Sequence, residues 1–99
     1  MKSLRAVIDA ESIKDYNALK TGMRVRNADG WIGTVESMLP IKQRNMMGFI
    51  GQVTVRVDDI TECKIKFYFV GQKITSPAGC FKPLSTGLKF SCGEWKQGA

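Results

Sequence analysis

A chain of 99 residues with net charge +6 is read as one basic domain, because domains usually run to about 100–150 residues, and its 43% hydrophobic and 24% charged residues exclude a disordered chain. Histidine is absent, which excludes Ser-His and Cys-His nucleophiles and imidazole metal ligands. No stretch resembles a secretory signal or approaches the ~20 apolar residues of a membrane span, so the expected location is the cytoplasm.

Residues 2–8 carry apolar side chains at both parities and suggest an arm or edge strand. Ser12-Ile13-Lys14-Asp15 has the form of a capping box and predicts a helix over 12–20, with Ile13, Tyr16 and Leu19 on one face. Gly22 stands where such a helix stops. Two or three turns are not stable alone, so the helix must dock on the rest of the chain.

From residue 23 the hydrophobic period changes to two. Met23 and Val25 alternate with Arg24 and Arg26, Asn27-Ala28-Asp29-Gly30 forms a turn, and Trp31–Met38 returns as the second strand. Residues 40–51 form a long loop that is both basic and apolar. Val53, Val55 and Val57 then line one face of a third strand, opposite Gln52, Thr54 and Arg56. Cys63, Ile65, Phe67 and Phe69 alternate with Lys64, Lys66 and Tyr68, which predicts a partner strand. Avoiding like-charge pairs favours a register with Arg56 opposite Glu62 and Thr54 opposite Lys64, around a loop at Asp58-Asp59-Ile60. Lys73–Thr75 and Cys80–Leu84 are short extended pieces on either side of the turn Ser76–Gly79. Residues 85–99 form a tail in which Leu88, Phe90 and Trp95 imply partial docking. The three cysteines, Cys63, Cys80 and Cys92, lack metal-site spacing and read as free thiols. No cofactor is expected.

The expected fold is all-β: a small, strongly bent barrel of about five strands with one short N-terminal helix and a C-terminal tail. The divisions are 1–22, 23–84 and 85–99. Lys20-Thr21-Gly22-Met23-Arg24-Val25-Arg26 and Asp29-Gly30-Trp31-Ile32-Gly33-Thr34-Val35 resemble the first hairpin of SH3-like barrels of the KOW and Tudor type. Phe81-Lys82-Pro83-Leu84 is similar to their closing strand. Gly33 would let the second strand coil sharply while Val35 fills the core. This barrel hosts many roles, so the likeness implies a fold more than a function. The hairpin is also similar to that of the plasmid-borne type II dihydrofolate reductases. Their Val-Gln-Ile-Tyr motif is missing, however, which leaves that enzyme a remote alternative.

Two surfaces are candidates for function. The first is a phosphate-facing set, Arg24, Arg26, Arg56, Lys64 and Lys66, with Trp31, Tyr68 or Phe49 available to stack on bases. The second is the partner-binding loop Lys42, Arg44, Met46, Met47 and Phe49, where thioethers and an aromatic suit a protein contact. Adjacent Asp58 and Asp59 read as a solvated turn rather than an acid–base pair. The expectation is a non-enzymatic binding module acting on nucleic acid or a nucleic-acid-handling complex. The alternative is a protein-binding inhibitor or modulator of a host enzyme, since size and build resemble small phage and mobile-element accessory proteins. No membrane partner is expected.

Overall fold

The computed structural model describes residues 3–39, 41 and 51–97. The chain opens with a helix, α1 (Leu4–Asn17), where an arm and a later helix start were expected. Ser3 is the N-cap, and its hydroxyl accepts the Ala6 N–H at 3.2 Å. Ser12 therefore lies inside the helix and is buried, so the capping box does not cap. The correction has a simple basis: alanine, leucine and glutamate after Ser3 favour helix as readily as a short mixed strand. Lys14 in the last turn suits the negative end of the helix dipole.

Six sheet-forming segments precede the tail's last strand: β1 (Arg24–Asn27), β2 (Ile32–Met38), β3 (Gln52–Asp59), β4 (Lys73–Pro77), β5 (Phe81–Pro83) and β6 (Leu88–Ser91), followed by β7 (Glu94–Gln97). Five of them make one antiparallel sheet in the order β4-β3-β2-β1-β5. No ladder among the described residues joins β4 to β5, so the sheet is not hydrogen-bonded into a closed barrel. A single 3-10 turn, Ala78–Cys80, links β4 to β5.

One face of this sheet is the core. Val25, Val35, Val53, Val55 and Val57 are buried with Leu19, Trp31, Ala78 and Phe81. Trp31 lies edge-on to Phe81 at 5.7 Å between centroids and tilted against Tyr68 at 5.6 Å. The β2–β3 ladder slips twice, between Ile32 and Gly33 and between Val35 and Ser37. Such irregularities bend and twist a strand. Helix α1 closes over one end. Its Asp15 pairs with Lys82 of β5 at 2.9 Å, and the Tyr16 hydroxyl donates to the Leu39 carbonyl at 2.7 Å. Gly51 takes a positive φ of 80° directly beneath the Tyr16 ring, where a Cβ would approach ring atoms to 2.6 Å.

The expected strand at Cys63–Phe69 is not formed. β3 pairs instead with Lys73–Pro77, with Arg56 opposite Lys73 and Thr54 opposite Thr75. The proposed pairing of Arg56 with Glu62 is corrected too, since Glu62 reaches Arg26. The whole of 60–72 is a loop, closed at its base by the Val57 N–H to the Gln72 carbonyl and the Gly71 N–H to the Val57 carbonyl, both 2.8 Å. The tail is an ordered hairpin, β6–β7. Phe90 faces Trp95 across it with ring centroids 5.4 Å apart. Trp95 docks the hairpin on the main sheet: its indole N–H donates to the Gly79 carbonyl at 3.2 Å, and the Lys82 ammonium lies 5.9 Å from its ring.

Candidate functional site

The outer face of the sheet collects cations of three strands, β1, β3 and β4, into a row across β2. Register places Arg24 beside Thr34, Thr34 beside Arg56, and Arg56 beside Lys73. Directly paired residues project to the same side, so the row runs across the sheet. Asp58 sits within it. It accepts the Thr34 hydroxyl at 2.5 Å and the Arg56 Nε at 3.1 Å. Burial pushes the Asp58 carboxyl up, but the Thr34 and Arg56 hydrogen bonds and the charges of Arg56 and Arg24 outweigh it and hold the group below its ordinary range. Lys73 lies 3.8 Å from Glu36. The row is therefore cationic in excess, with its acids already engaged.

Arg26 belongs to the same strand but not to the same open surface. Its side chain is only 12% exposed and hydrogen-bonds Glu62. It anchors the base of the β3–β4 loop rather than facing solvent. Trp31 also leaves the set of stacking candidates. It is 0% exposed, so neither face of its indole is open to a base or to a cationic ligand. Lys42, Arg44, Met46, Met47 and Phe49 lie outside the described residues.

Tyr68 is half-buried and plays a supporting part. Its ring packs on Trp31 and its hydroxyl donates to Asp29 at 2.5 Å. That hydrogen bond, then burial and the Asp29 charge, raise its hydroxyl above the ordinary value of 10. The tyrosine thus pins the middle of the 60–72 loop to the β1–β2 turn. On either side of it Phe67 and Phe69 point into water, 87% and 61% exposed. Lys64 and Lys66 precede them on the same loop, both exposed. The period-two pattern that mimics a strand in the sequence is here a loop with one residue anchored and its neighbours presented.

Between this loop, the β1–β2 turn and β6 runs a groove of about 570 Å³. Arg26, Asp29, Glu62, Lys64, Lys89 and Phe90 line it. Gly30 shapes its floor. At φ 104° it lets the loop backbone come so close that a Cβ would stand 3.0 Å from the Glu62 carbonyl oxygen. Lys89 and Phe90 are contributions that sequence reasoning missed. The signal was the Leu88–Trp95 alternation around Cys92-Gly93, which read as a docked tail and not as a hairpin. Among the described residues, no helix is long and apolar enough to cross a membrane. No family model, no curated protein and no solved structure matches the chain.

Proposed function

We propose that the chain is a non-enzymatic, basic binding module that acts on nucleic acid or on a nucleic-acid-handling complex, carried on an SH3-like scaffold. The strand order β4-β3-β2-β1-β5, the 3-10 turn between β4 and β5, and the coiled β2 support that scaffold. The observation that carries the function is the β3–β4 loop. Two phenylalanines stand in solvent directly after two lysines. Leaving a Phe side chain exposed forgoes about 1.5–3 kcal/mol of burial, and Tyr68, held inward on Asp29 and Trp31, stands between the two. Exposed rings interleaved with cations suit bases and phosphates together. The row Arg24, Arg56 and Lys73 offers further phosphate contacts on the sheet.

The test is a mobility-shift titration of a short oligonucleotide. Binding is expected at low salt and should fall steeply at moderate salt, and Phe67→Ala with Phe69→Ala should weaken it. Absence of any shift at low salt would overturn the reading. The same loop favours one other reading. Ile65, Phe67, Phe69 and Val70 are all exposed on this one loop, and exposed apolar side chains of this kind also suit a protein partner, as an inhibitor or modulator of an enzyme would need. Affinity purification repeated after nuclease treatment separates the two: partners lost with nuclease point to nucleic acid, and partners retained with nuclease but lost on Phe67→Ala with Phe69→Ala point to a protein contact on this loop.

A further inference from the structure

We infer that the groove between the β3–β4 loop and the C-terminal hairpin is a nucleotide-sized subsite for single-stranded nucleic acid. In it a base lies on Phe90 and the adjoining phosphates meet Lys64 and Lys89. The inference rests on the nucleic-acid reading and adds to it the form of the ligand and the place where one unit is held.

The size of the groove is the first argument. At about 570 Å³ it falls within the range of small-ligand clefts, ~300–1,000 Å³. A stacked nucleotide fits such a space. A duplex, which buries its base faces, does not present one to it. The second argument is the state of Phe90. Its ring is held edge-on against Trp95 and remains 40% exposed. It is therefore fixed by the hairpin while keeping a surface free, as a stacking platform requires. The third argument is charge. Of the two acids in the groove, Glu62 is hydrogen-bonded by Arg26, and Asp29 takes the Tyr68 hydroxyl. Lys64 makes no ion pair among the described residues, and Lys89 reaches only the already engaged Glu62, at 3.9 Å. Three cations against two committed carboxylates leave a site that attracts an anion. The fourth is continuity. Lys64 lies at the start of the run that ends in Phe67 and Phe69, so a strand leaving the groove meets the exposed rings next.

The test uses fluorescence anisotropy of the full chain with fluorescein-labelled oligothymidylate, oligouridylate, and the duplex of oligothymidylate with oligoadenylate. Single strands are expected to bind more tightly than the duplex. Phe90→Leu should weaken single-strand binding about ten-fold. Lys64→Gln with Lys89→Gln should lower the log–log salt slope by about 1.4, since each phosphate contact on a single strand contributes ~0.7. Lys14→Gln on α1 together with Lys20→Gln just after it, both exposed, is the charge-matched control. The lysine pair keeps the test valid if Phe90→Leu loosens the hairpin. Tighter duplex binding would overturn the inference, as would groove variants that bind like the control. In both cases the nucleic-acid reading survives. Failure of the unaltered chain to bind any of the three probes would overturn both.

Discussion

Gly33 is the residue on which the sheet's close packing turns. A Cβ there would lie 2.7 Å from Val55 Cγ1 and 2.8 Å from the Trp31 ring, with the Arg56 carbonyl closer still. None of these neighbours is a flexible side-chain end, so the strand must move. Gly33→Ala is expected to destabilise the fold by about 3 kcal/mol, the upper end for overpacking, read as a drop in the thermal midpoint. Asp58 gives a second prediction at this scale. Its folded pKa is depressed, so its contribution to stability is present above the ordinary carboxylate value of 3.8 and is lost as pH falls through the lower folded value. Thr34→Val removes one of the bonds responsible. It should lower neutral-pH stability by about 1 kcal/mol, and the difference from the unaltered chain should shrink in denaturant melts below pH 4. A difference that stays constant to the acid limit would show that Thr34 stabilises by packing alone. The glycine's role was legible in the sequence because Gly-x-Val in a strand has few other uses. Trp31 was not, since a tryptophan among polar and β-branched neighbours serves equally as a core filler or a platform. Only the docking of Phe81 and Tyr68 around it decides the matter.

Among the elements, the C-terminal hairpin is attached by few contacts, and Trp95 supplies several of them. Trp95→Ala removes the bond to the Gly79 carbonyl, the ring beneath Lys82 and the partner of Phe90. The expected result is local release: faster proteolytic cleavage within 84–97 with amide-exchange protection of β2 and β3 unchanged. Loss of protection throughout the sheet would instead make the hairpin part of the same cooperative unit. Strands β1, β2 and β3 were legible because each pairs a buried row with a polar row, and the inward valines of β3 repeat without interruption. The segment 63–69 shows the same alternation and forms no ladder. Alternation reports only which side chains differ in polarity, and a strand also needs a neighbour for its backbone. That neighbour, β3, is taken by Lys73–Pro77, whose first three residues already read as a short extended piece and which pairs with it from Lys73 to Pro77. The helix was misplaced for a related reason: Ser3 and Ser12 offer similar capping chemistry, and the chain is already helical from Leu4 when it reaches Ser12.

For the molecule as a whole, net charge +6 sets a field that favours any polyanion, so binding alone does not show which surface carries it. The row across the sheet and the loop with its groove make separable predictions. Neutralising the row as Arg24→Gln, Arg56→Gln and Lys73→Gln leaves the rings of Phe67, Phe69 and Phe90 untouched. If the row contacts phosphates of a bound single strand, the salt slope should fall by about 2, three contacts at ~0.7 each, with affinity converging on that of the unaltered chain at high salt. If the row is a solvated face, the slope should stay within the change produced by neutralising three lysines or arginines elsewhere on the surface. Substituting Arg56 also frees Asp58 from one partner, so each titration is run at a temperature where circular dichroism shows the variant folded. A slope unchanged by the row but reduced by Lys64 and Lys89 would confine the ligand to the loop side. The outer face of β1–β4 would then carry charge for solubility, with Asp58 and Glu36 serving to keep its cations apart.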